Sequence, residues 1–137
     1  MAAFRTHVEF RSDAFPPRPG EAEHINPGRW AAALVEYLRP ELAARGLKPN
    51  SVYEEDWGYV IELENDDVRL WIGCGNYEEY PDGFLCFIEP SRRFVRRWFR
   101  KIDTTAKVGA VADALEAALR AHPRVRDLRW WIESETG

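Results

Sequence analysis

Cysteine is scarce in this chain. There are two in 137 residues, Cys74 and Cys86, and neither has another cysteine or a histidine two to four positions away. That excludes a disulfide framework and the paired spacing of a zinc ribbon. The histidines His7, His24 and His122 are scattered, so no metal set and no cofactor are expected. No apolar run approaches the roughly 20 residues that cross a bilayer. The N-terminus MAAFRTHVEF alternates charge with apolarity where a secretory leader would carry an apolar core. A cytoplasmic protein with reduced thiols and no membrane partner is expected. The GCG of Gly73–Gly75 is followed by no Gly-Lys-Ser/Thr, and Ser51, Ser91 and Ser134 lack a nucleophile-elbow context. Neither a phosphate loop nor a catalytic serine is therefore indicated.

What is abundant is apolar and aromatic material: 45% hydrophobic and 13% aromatic residues, six of them tryptophan. A chain of this length can bury roughly two thirds of its unfolded surface in one core, so one domain over 1–137 is expected, with a proline-rich loop at 13–26 and a polar tail at 134–137. Ala3 to Arg11 has the period of a half-buried strand, with Phe4, Thr6, Val8 and Phe10 on one face. Asn26 and Pro27 resemble a helix start, and Trp30, Leu34, Tyr37, Leu38 and Leu42 form a buried stripe that ends at Gly46. Pro40 inside that span predicts a kink or a helix in two pieces. SVYEE, GYVIELE, VRLWIGC and FLCFIEP read as consecutive antiparallel strands, with a tight hairpin at Asn65 to Asp67 and a longer loop at Gly75 to Gly83. A hairpin symmetric about Tyr80 sets Cys74 opposite Cys86. Asp103 or Thr104 caps a second helix lined by Val108, Val111, Ala112, Leu115, Ala118 and Leu119, and VRDLRWWIE forms a last strand. The order β-α-β-β-β-β-α-β implies an α+β fold, mainly antiparallel, with two principal helices on one sheet face.

Charge is unevenly spread. Glu54 to Asp82 holds ten acids against one base, Arg69, whereas Arg92 to Lys101 carries six positive charges, in a chain of net charge −4. In SRRFVRRWFRKI the bases and apolar residues come in pairs. A helix would place Phe94, Val95, Trp98, Phe99 and Ile102 on one stripe, and a helix of one to two turns is expected there. Arg92, Arg93, Arg96, Arg97, Trp98, Arg100 and Lys101 then have three readings. They are a solvated face, since arginine stems cover apolar surface while their heads stay wet; a docking patch for another protein or a second copy of this one; or a nucleic-acid contact. The last is disfavoured by the neighbouring acidic segment and by the lack of a nucleic-acid-binding signature.

A second candidate is an aromatic, acid-rimmed pocket from Glu54, Glu55, Asp56, Trp57, Tyr59 and Trp71, suited to a cationic or sugar-like ligand. Carboxylates near Trp57 could serve an enzyme only if one were desolvated; exposed sheet-face positions explain them more simply. The segments EEDWGYVIE, WIGCGN, FLCFIEP and RKIDTT resemble a pattern seen in a family of small uncharacterised bacterial proteins, over about Val52 to Trp131. That resemblance implies no role for any residue. In size and acidity the chain is similar to some immunity proteins of bacterial toxin systems, which implies an interaction protein. The expected function is non-catalytic binding of an unknown protein partner or of itself. A small-molecule or nucleic-acid binder is the alternative, and a small enzyme comes third.

Overall fold

The structure, a computed structural model, describes residues 4–21, 29–77 and 79–132. The expected helix start at Asn26 and Pro27, His24 and the tail at 134–137 lie outside the described residues. The fold is α+β: β1 (His7–Arg11), α1 (Ala32–Ala44), β2 (Pro49–Glu55), β3 (Gly58–Leu63), β4 (Leu70–Asn76), β5 (Gly83–Glu89), β6 (Phe94–Arg97), β7 (Arg100–Asp103), α2 (Thr105–Arg120) and β8 (Arg126–Trp130). Six strands form one antiparallel sheet in the order β2-β3-β4-β5-β1-β8, and β6 pairs only with β7.

Period-two burial decides which sheet face carries the helices. Val8 and Phe10 of β1, Ile61 and Leu63 of β3, Ile72 and Cys74 of β4, and Phe84, Cys86 and Ile88 of β5 share a core with Leu34, Leu38 and Leu42 of α1 and Val108, Val111, Leu115 and Leu119 of α2. Phe4 and Thr6 are buried too, as the alternation requires, although the regular strand begins only at His7. Cys74 pairs with Cys86 across β4 and β5, with the two sulfurs 3.7 Å apart and both thiols free. The Cys74 contact and complete burial push the Cys86 thiol well up, which keeps it protonated and unreactive.

Three local expectations are corrected. α1 is one continuous helix through Pro40. Pro40 and Glu36, whose carbonyl loses its helical partner to the proline, are both exposed, so water can satisfy that oxygen. The link between β3 and β4 is not tight but spans residues 64–69, closed by the Asn65 side-chain amide donating to the Val68 carbonyl (3.0 Å). The third correction concerns 91–102, where no helix forms. Phe94–Arg97 and Arg100–Asp103 make a two-stranded ribbon turning at Trp98 and Phe99. Arginine on both faces argues against a strand only when one face is buried. This ribbon stands off the sheet and buries little besides Ile102, so both faces can be charged.

α1 starts from a residue that sequence patterning did not single out. Ala31 offers no side-chain cap. The Glu21 carboxylate accepts instead from the amides of Ala31 (2.9 Å), Ala32 (2.8 Å) and Arg18 (2.8 Å). Burial alone would raise the Glu21 pKa, but those amides and the Tyr59 hydroxyl hold it below its ordinary value. An N-cap ordinarily comes from the adjoining residue; one ten residues upstream leaves no sequence signature.

Candidate functional site

The ribbon follows directly from its sequence. Val95 and Ile102 are β-branched partners across the pair, and Arg96 opposes Lys101 as Arg97 opposes Arg100. Its base is tied down where Thr104 donates its hydroxyl to the Arg92 carbonyl and its amide to the Arg93 carbonyl (2.8 Å). Nearer the tip, the Arg97 guanidinium donates to the backbone carbonyls of Asp66 (3.1 Å) and Asp67 (2.8 Å). Arg93 lies over the Phe4 ring and Lys101 over the Phe94 ring, at 4.9 and 4.1 Å from the centroids. At the tip Trp98 is 86% exposed and Phe99 98% exposed. Trp98 holds φ of 59°, a left-handed conformation that disfavours a bulky side chain. Among the described residues, none of Arg96, Arg97, Arg100 and Lys101 forms an ion pair. Two exposed rings thus cap a ribbon whose four cations form no ion pair among the described residues.

The second candidate lies on the sheet face opposite the helices. Glu55 pairs with Gly58, so Asp56 and Trp57 make a two-residue turn. The Trp57 ring folds back over β4, stacking on Trp71 (centroids 6.3 Å) and tilting against Phe87 (5.0 Å). Glycine makes this possible. A Cβ on Gly73 would come within 2.4 Å of the Phe87 ring and 2.8 Å of the Trp57 ring, and one on Gly75 within 2.7 Å of the Trp57 carbonyl. The GCG motif is therefore a seat for aromatic rings. The row continues from Phe87 to His7 and on to Trp131, stacked at 5.6 and 5.3 Å. Burial lowers the His7 pKa, with the Glu89 charge opposing. Where β4 ends and β5 begins, Trp57, Tyr77, Leu85 and Phe87 line a cleft of about 600 Å³ together with Arg29 and Glu79.

The sequence-derived pocket set is divided by this geometry. Trp57 and Trp71 share the open face. Tyr59 lies on the helix side, bonded to Glu21, and burial followed by the Glu21 charge pushes its phenol up to about 12. Glu54, Glu55 and Asp56 are exposed on edge strand β2 and its turn and do not line the cleft. Phe87, Tyr77 and Glu79 were missed, although Phe87 could have been found: Trp57 needs a flat bed, and Gly73 opposite Phe87 supplies one. The basic set is brought together, except that Arg92 and Arg93 stand at the ribbon's base, away from the tip. Among the described residues, no three His, Cys, Asp or Glu side chains are grouped to hold a metal ion, and no helix is long and apolar enough to cross a membrane. A scan against protein-family models and searches of the curated proteins and the solved structures found no match.

Proposed function

We propose that the chain is a non-catalytic binding module that docks on a protein partner through the β6–β7 ribbon. One observation carries this reading: Trp98 and Phe99 stand 86% and 98% exposed at a tight turn, at the end of a ribbon whose four cations form no ion pairs among the described residues. Exposed aromatic pairs are unfavourable in water, and the left-handed Trp98 adds roughly 1–2 kcal/mol of strain. Such features persist where they serve recognition. Tryptophan and arginine are the residues most enriched at binding hot spots. The complementary surface would be acidic around an apolar recess, and the similarity in size and acidity to toxin-immunity proteins fits such a role.

A photo-crosslinking residue in place of Phe99, introduced in the native cells, tests the reading. Discrete protein adducts are expected, and the pair Arg96→Glu with Arg100→Glu should remove them while leaving the circular dichroism unchanged. Arg97 is left alone because it anchors the ribbon. No adducts, or adducts indifferent to the charge reversal, would refute the proposal. A second reading, a small-molecule site, is favoured by the aromatic cleft of about 600 Å³ beside Trp57, a size ordinary for ligand pockets.

A further inference from the structure

We infer that the partner the ribbon fits is a second copy of this chain, with the Trp98–Phe99 tip of one molecule seated in the Trp57 cleft of the next. This rests on the reading of the ribbon as the docking element and names its partner. Three observations converge on it. The first is placement. Arg97 holds the ribbon tip to the carbonyls of Asp66 and Asp67, in the loop that feeds Leu70 at the start of β4. The cleft is built around Asn76 and Tyr77 at the other end of that strand. Seven residues of strand separate the two by about 20 Å, so the tip does not fill the cleft of its own molecule.

The second is chemistry. The cleft offers Trp57, Tyr77, Phe87 and Leu85, surfaces that pair with aromatic rings in stacked or edge-on geometry. A space of about 600 Å³ admits the two ring side chains of the tip. The third is charge. The described lining residues include one acid, Glu79, and one base, Arg29, and Glu55 is exposed beside the turn that carries Trp57. Against the Glu79 and Glu55 carboxylates come Arg96, Arg100 and Lys101, and opposite charges both steer the encounter and fix its orientation.

Knob and socket occupy different ends, so the contact is heterologous: it propagates unless two molecules lie antiparallel and satisfy each other twice. Two rings and a charged rim bury less than the roughly 1,200 Å² of a stable interface, so association is expected at about 10–300 μM and should depend on salt.

Sedimentation velocity over that range reads it. Mass is expected to rise with concentration in about 50 mM salt, with affinity at least tenfold weaker in about 500 mM. A knobless variant, Trp98→Ala with Phe99→Ala, and a socket-blocked variant, Leu85→Lys, should each remain monomeric. Their equimolar mixture should recover a one-to-one dimer, because one intact knob and one intact socket remain. Tyr77→Ala serves as a second socket variant if the thermal melt shows Leu85→Lys to be misfolded. A wild-type chain monomeric throughout overturns the inference, as does a mixture that stays monomeric while the wild type associates. Ribbon-dependent binding of a monomeric chain to phosphatidylserine vesicles or to duplex DNA would overturn it as well. Phe99 adducts with another protein, from a chain that is monomeric when pure, leave the ribbon reading standing and remove only self-association.

Discussion

Two tight turns in this molecule each carry a tryptophan, with opposite outcomes. At Asp56–Trp57 the strands are part of the main sheet, and the ring folds back onto β4 between Phe87 and Trp71. At Trp98–Phe99 the strands form an isolated ribbon, and both rings point into solvent. The difference lies in what each turn finds beside it. Gly73 leaves a vacancy one strand away, into which Trp57 drops. No third strand flanks β6 or β7, so Trp98 has no such bed. The same residue type is thus structural in one turn and available in the other, and burial of an aromatic side chain is a property of the neighbouring strand as much as of the ring.

The comparison is broken most severely at Gly58. Its φ of +156° and the 2.2 Å approach of an added Cβ to the Cys74 carbonyl leave no room for a side chain against the backbone of β4. Gly58→Ala is expected to cost at least about 3 kcal/mol, read as a lowered urea midpoint with unchanged slope. Trp57 fluorescence should shift to the red as the turn lifts. A smaller loss is expected for Gly73→Val, whose branches meet rings that can partly give way: about 1–3 kcal/mol, the usual range for overpacking. A stability equal to wild type in either variant would contradict the seat assigned to Trp57.

Much of the main sheet was legible because burial follows a period of two and the strands are long enough to display it. Val8 and Phe10, Ile72 and Cys74, and Cys86 and Ile88 show that period in the sequence, and the Cys74–Cys86 register is the one that symmetry about Tyr80 requires. The ribbon resembles a helix in sequence because paired residues, FV then RR then WF, satisfy a helical stripe, while a strand pattern is diagnostic only against a buried face. The candidate pocket was half legible. The sequence points to Trp57 and Trp71 but does not show the side on which Tyr59 lies, since the parity of β3 across a two-residue turn is fixed by pairing with β4. Glu21 escaped altogether, its role resting on a contact ten residues away.

A pH measurement sharpens the comparison on the side of the open face. His7 is half-buried between Phe87 and Trp131, and burial holds its pKa below the ordinary 6.5. The unfolded chain then takes up its proton first, so the stability contributed by neutral His7 is complete above pH 6.5 and is lost as pH falls through 6.5 toward the folded value. Thermal midpoints should decline over that window. His7→Phe, which keeps the stacked row and removes the titration, should flatten the decline there. A profile unchanged by the substitution would mean that the imidazole is not held neutral by the row.

The smallest expected effect on stability, and the most telling for function, is at the ribbon tip. Trp98 makes little contact with the rest of the chain and adopts φ of 59°, a conformation glycine accepts without strain. Trp98→Gly therefore removes about 1 kcal/mol of strain while adding unfolded-state freedom of similar size. The melting temperature should move little in either direction. Trp57→Gly, made in parallel, should lower it by several degrees, because there the ring fills space over Gly73. If Trp98→Gly were instead strongly destabilising, the tip would be a packed element like the Asp56–Trp57 turn, and the distinction between a structural and an available tryptophan would collapse.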